Sequence, residues 1–147
     1  MLAAPLVLAA AAFAGPAPVQ DAEEMAKPKP SGSIVERLAA AVGEDKVDKP
    51  FVLVVKMTVK KGKAADLIEA YRGAARKSLA EEGCKQYALT RDAESPNDFI
   101  LYERWTGASA LESHMDQDYT REFVGEFGEL LDASSVTIMK PIGPGKK

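Results

Sequence analysis

Apolar and polar positions change rhythm along this chain. Phe51 to Val59 (FVLVVKMTV) is apolar at nearly every position and rich in β-branched residues, which predicts a strand in the middle of a sheet. Lys60-Lys61-Gly62-Lys63 turns the chain. From Ala64 to Glu82, Leu67, Ile68, Tyr71, Ala75 and Leu79 recur on one helical face, with Gly83 as the stop. Cys84 to Arg91 reads as a second strand. Glu94 to Asp98 reads as a turn, because Pro96 cannot sit in a central ladder. Phe99 to Trp105 alternates as a third strand, with Phe99, Leu101, Glu103 and Trp105 on one face and Ile100, Tyr102 and Arg104 on the other. Thr106 is the expected cap of a short helix ending at Met115, which Asp116-Gln117-Asp118 breaks. A further helix from Thr120 puts Phe123, Phe127, Leu130 and Leu131 on one side. Val136 to Met139 is the last expected strand, stopped by Pro141 and a tail at 143–147.

The order strand, helix, strand, strand, helix, strand is the split βαβ pattern of a ferredoxin-like α+β sandwich over residues 50–142. Its helices cover one sheet face. The other face also carries apolar side chains, Ile100 and Tyr102 among them, in a domain near the size where a single core is marginal. Covering that face with a second copy is the simplest remedy, so a two-fold homodimer is expected.

Ahead of this domain the chain has another character. No charge occurs before Asp21, and Leu6 to Phe13 is a compact apolar stretch followed by the small-x-small pattern Ala12-Phe13-Ala14. Residues 1–14 therefore read as a signal peptide, which implies a secreted or periplasmic protein, although no Lys or Arg precedes the stretch. An uncleaved membrane anchor is the weaker reading, since the segment is alanine-rich and broken by Pro5, Pro16 and Pro18. No stable membrane insertion is expected after cleavage. Residues 15–49 form a linker with one short helix, opened by the capping-box spacing Ser33 to Glu36 and closed by Gly43. Ile34, Leu38 and Val42 make its apolar stripe.

Composition narrows the chemistry. Of 147 residues, 46% are hydrophobic and 28% charged, a globular balance, and the net charge of -3 argues against nucleic acid as a partner. One cysteine excludes an internal disulfide or a multi-Cys metal cluster, and one histidine excludes a His-pair zinc site. Cys84 reads as a small buried apolar residue rather than a reactive thiol.

With Glu82-Gly83-Cys84 before the second strand, Tyr102-Glu103-x-Trp105 on the third and Leu111-Glu112-x-His114 on the next helix, the chain from Phe51 to Ile142 resembles the antibiotic biosynthesis monooxygenase family. The resemblance implies a dimeric α+β barrel with a pocket between sheet and helices in each subunit. It also implies one of several activities: oxidation of quinols or polyketide phenols by O2 without metal or flavin, haem degradation, or an isomerisation. Trp105 and His114 match the family's strand tryptophan and helix histidine. The second histidine of many members is absent, that stretch reading Gln117-Asp118-Tyr119. Val55 or Lys56 stands where the haem-degrading branch has asparagine, which disfavours that branch.

These residues suggest a division of labour. His114 alone has a reference pKa near neutrality and is the candidate catalytic base. Trp105 is the expected wall of a flat slot, and Tyr71 or Tyr119 the donor to a developing oxyanion. Glu103, a carboxylate among apolar neighbours, needs a partner such as Arg104, Arg72 or water, and is counted with the substrate-binding set. The expected function is oxidation of a small aromatic or quinol-like substrate by O2 with no cofactor. The alternatives are a non-catalytic dimeric module that binds small molecules, and an isomerase working by enolisation.

Overall fold

The computed structural model describes residues 33–44 and 47–143; the expected signal segment and most of the linker lie outside them. Four strands, β1 (Phe51–Val59), β2 (Cys84–Arg91), β3 (Asp98–Trp105) and β4 (Leu131–Met139), form one antiparallel sheet in the order β2-β3-β1-β4. Four helices accompany them: α1 (Ile34–Val42), α2 (Ala64–Ser78), α3 (Ala108–Met115) and α4 (Asp118–Leu130). This is the ferredoxin-like α+β arrangement, with α1 added ahead of it and α3 inserted before α4. None of the described helices is long and apolar enough to cross a membrane.

Alternation along the strands sorts the core. Phe51, Leu53, Met57 and Val59 of β1 and Phe99, Leu101 and Trp105 of β3 are buried on the helix-covered face, packed against Leu67 of α2 and Leu111 of α3. The opposite face carries Val54, Ile100, Tyr102 and Met139, and no described helix covers it. Ile100 and Met139 stand 39% and 50% exposed.

The linker helix is part of this core. Ser33 and Glu36 form the capping box, Gly43 closes the helix, and Leu38 and Val42 are buried in the main cluster. Arg37 donates to the carbonyl of Val136, so α1 also satisfies a backbone oxygen on edge strand β4.

Element ends differ from the sequence expectation, each for a tertiary reason. Helix α2 stops at Ser78, because the amides of Ala80 and Glu81 bond three residues back in a tightened turn. Leu79 is consequently 53% exposed rather than on the inner stripe. Gly83 answers a close approach instead of ending the helix: a Cβ there would lie 2.3 Å from that of Ala110. Helix α3 is capped not by Thr106 but from a distance. Its N-cap, Gly107, offers no side chain, and the first helical amides, of Ala108 and Ser109, donate instead to Val47 O and Asp48 Oδ1. Strand β4 begins at Leu131, not Val136, and α4 runs straight into it. The polar stretch Asp132-Ala133-Ser134-Ser135 has little strand preference of its own and is extended by its ladder with β1. Lys60 replaces a helix cap there, its amide bonding Leu130 O and its ammonium Glu129 O.

Candidate functional site

A cavity of about 320 Å3 lies between the helix-covered face of the sheet and helices α3 and α4. Its floor is strand-borne: Leu53 from β1, Leu101 and Glu103 from β3, Tyr87 from β2. Its roof comes from His114 on α3 and from Thr120, Phe123 and Phe127 on α4. Met115 and Val124 also line it and are 40% and 48% exposed, which marks the way in.

His114 is buried, and its ring is fixed from behind. Nδ1 lies 2.9 Å from Glu81 Oε1, a carboxylate on the tight turn after α2. Tyr119 donates its hydroxyl to the same Glu81 oxygen. A neutral imidazole facing a carboxylate through Nδ1 carries its proton there, so Nε2 keeps the free lone pair. The other ring face packs on Trp105, with centroids 4.6 Å apart. Nucleation of this cluster depends on α2 ending early: a helix continued to Glu82 would carry Glu81 elsewhere.

Glu103 lies on the floor, 7% exposed. Trp105 Nε1–H donates to its Oε2 at 2.8 Å, so the partner is neither Arg104 nor Arg72. Arg104 belongs to the opposite sheet face, and Arg72 stands in solvent beside Glu69. Burial pushes the Glu103 carboxyl up to about 7, against the indole N–H, which pulls it down. Burial, reinforced by the Glu103 charge, also raises Tyr87, and it lifts the Cys84 thiol to about 11. Cys84 is thus a protonated core residue at neutral pH.

Of the residues singled out in the sequence, His114 and Glu103 both line the cavity. Trp105 is fully buried behind both and is not among the residues lining the cavity; it touches one with its ring and the other with its N–H. Tyr71 stacks on Tyr87 and donates to Tyr87 O at 3.0 Å, which ties α2 to β2 rather than reaching the cavity. Tyr119 faces the groove between α2 and α4, under Lys77, and does not line the cavity; it meets the site from behind, through Glu81 and through His114 Nδ1, 3.3 Å from its hydroxyl. Glu81 and Tyr87 were not found in the sequence. Tyr87 had a readable signal, sharing one face of β2 with Leu89, two residues on; Glu81 had none. The described residues include no cluster of three or more His, Cys, Asp or Glu side chains able to hold a metal ion.

Comparison with known proteins gives one family. The family described as antibiotic biosynthesis monooxygenase matches residues 50–126, just over half of the chain. An uncharacterized protein of Synechocystis sp. is 30% identical over 102 residues, covering 69% of this chain and 65% of that protein. A Mycobacterium tuberculosis protein, provisionally named a monooxygenase, is 31% identical over 64 residues, covering 43% of this chain and 62% of that protein. The matches thus span less than two thirds of either relative's length. A crystal structure from Pseudomonas aeruginosa superimposes with a TM-score of 0.61 at 27% identity, over 66% of this chain and 98% of that one.

Proposed function

The chain belongs to the antibiotic biosynthesis monooxygenase family, and on that premise we propose that its cavity oxidises a small planar phenol or quinol with O2. The observation that carries the reading is the buried His114, which lines an apolar cavity while its Nδ1 is held by Glu81, leaving Nε2 with no partner among the described residues. A substrate hydroxyl entering past Met115 and Val124 meets Nε2 and gives up its proton. The resulting imidazolium is stabilised by the Glu81 carboxylate behind it. Apolar walls strip water from the anion and leave its electrons available to O2. The stoichiometry closes without any cofactor: a dihydroxyarene plus O2 gives a hydroxyquinone plus water, the substrate supplying all the electrons.

The reading includes a homodimer through the uncovered sheet face, supported by the apolar side chains of Val54, Ile100, Tyr102 and Met139 on it. It also includes export, supported by the uncharged apolar start of the chain.

The test is O2 uptake by the purified protein with 1,4-dihydroxynaphthalene or menadiol under air. Uptake above the buffer rate is expected, with His114→Ala lowering it by about 10²–10⁴-fold. Wild-type uptake no faster than buffer rejects the oxygenase and leaves a binding module.

A further inference from the structure

Glu103 is a buried carboxyl that the mechanism above does not use. Its position is imposed by the sheet: on β3 it pairs with Leu53 of β1 on one side and Tyr87 of β2 on the other, facing the cavity between them. Only one of its oxygens has a partner among the described residues, the neutral indole N–H of Trp105. Among the described residues no lysine or arginine lines the cavity with it. A leucine there would extend the row of Phe99 and Leu101 without the cost of burying a carboxyl, so packing alone does not account for it. It shares the cavity with His114, and the Trp105 ring system braces the two together.

We propose that Glu103 is a second catalytic residue, the base that removes the proton from the substrate carbon after oxygen has been added to it. This rests on the oxygenase reading. In the first half, His114 takes the hydroxyl proton, two electrons pass from the ring to O2, a C–O bond forms, and the imidazolium returns its proton to the terminal oxygen. The product is a hydroperoxide on a carbon that still bears hydrogen. In the second half, the Glu103 carboxylate takes that hydrogen as a proton. The C–H electron pair becomes the second bond of a carbonyl, the O–O bond breaks, and the departing hydroxide collects the proton from Glu103 as water. Both residues are reset. Two carriers are needed because the two protons leave different atoms of the substrate.

A carboxyl brought close to neutrality by burial suits this task, being present in both forms at working pH. The titratable groups facing it are Tyr87 and Cys84 on β2 and His114 on α3, while Leu53 is its neighbour on β1. Tyr87 and Cys84 are held protonated, so Glu103 carries the charge of the cavity floor.

The experiment follows consumed O2 to its products with 1,4-dihydroxynaphthalene, measuring hydroxyquinone by absorbance and peroxide by iodometry. In Glu103→Gln, which keeps the size and can still accept from Trp105, hydroxyquinone formation should fall about 10²-fold, with consumed O2 recovered as peroxide. Glu103→Asp should restore part of the hydroxyquinone yield, which a merely structural role would not require. Hydroxyquinone formed at the wild-type rate, or an equal loss of uptake and product with no peroxide, overturns the assignment while leaving the oxygenase intact. A wild type that consumes no O2 overturns both.

Discussion

The floor and the roof of the cavity are built by different means. The floor sits on β3, bonded on both sides by β2 and β1, and its polar pair, Glu103 and Trp105, is two residues apart on one strand. The roof sits on α3 and α4, and its polar group is assembled from afar: Glu81 reaches His114 across 33 positions and Tyr119 across 38. The strand-borne pair is rigid and sealed, so its chemistry is governed by desolvation. The helix-borne group is closer to water, Glu81 keeping 21% of its side chain exposed, so its chemistry is governed by orientation. Damage to the floor should therefore register first in stability against pH and in the product formed, and damage to the roof first in O2 uptake.

The largest expected effect is on the floor. The folded-state carboxyl of Glu103 titrates near 7, above its ordinary value of 4.5. Between those values the folded protein holds a proton that the unfolded chain has lost, so this group's stabilisation is complete below about pH 4.5, declines as pH rises and is gone above about 7. Glu103→Gln removes the titration. In urea unfolding, the stability of the variant relative to wild type should rise by about 2–3 kcal/mol from pH 4.5 to 7.5. A difference that stays flat with pH would mean that Glu103 is solvated like a surface carboxylate, and the contrast between floor and roof would collapse.

The same contrast decides what could be read from the sequence. Alternation from Phe99 to Trp105 is a local property, and it placed Glu103 on the buried face, in line with Leu101 and Trp105. The run Phe51 to Val59 was likewise legible from end to end, because six of its nine residues are β-branched or aromatic and need no help from neighbours. The partner of Glu103 could have been read from that strand, since side chains two apart share a face. His114 could be picked out because it is the one histidine, but its orientation could not. That depends on α2 ending at Ser78, on the turn that lifts Glu81, and on Gly83 letting Ala110 approach. Those contacts join separate segments, and no spacing within one segment encodes them. Strand β4 failed for the same reason: Leu131 to Ser135 becomes a strand only against β1.

The roof supplies the next effect in size. Glu81→Gln removes the charge behind His114 while keeping an oxygen for Tyr119 and Nδ1. It should lower kcat for O2 uptake by about 10–100-fold, or about 1.4–2.7 kcal/mol in barrier. Unfolding free energy should move by less than about 1 kcal/mol, because the carboxylate is partly in water. A kcat within twofold of wild type would show that the histidine does not need its carboxylate.

The smallest effect concerns the underside of the floor. Ile100 alternates with Phe99 and Leu101, which are buried beneath the helices, and so points to the bare face, 39% exposed. Covered by a second copy, it loses the rest of its exposed surface, a gain of about 1 kcal/mol in each subunit that together corresponds to roughly thirtyfold in the dimer dissociation constant. Ile100→Asp should therefore shift the mass measured by light scattering from twice 15.7 kDa toward 15.7 kDa on dilution. The variant should remain folded, because the position lies outside the helix-covered core. Cavity chemistry depends on side chains of the other face, so O2 uptake per subunit should survive in the monomer. An unchanged mass would exclude this face as the interface, and a wild type that is already a monomer would remove the need for one. Loss of uptake together with dimerisation would instead mean that the roof takes part of its support from the second copy, through a sheet whose two sides are coupled.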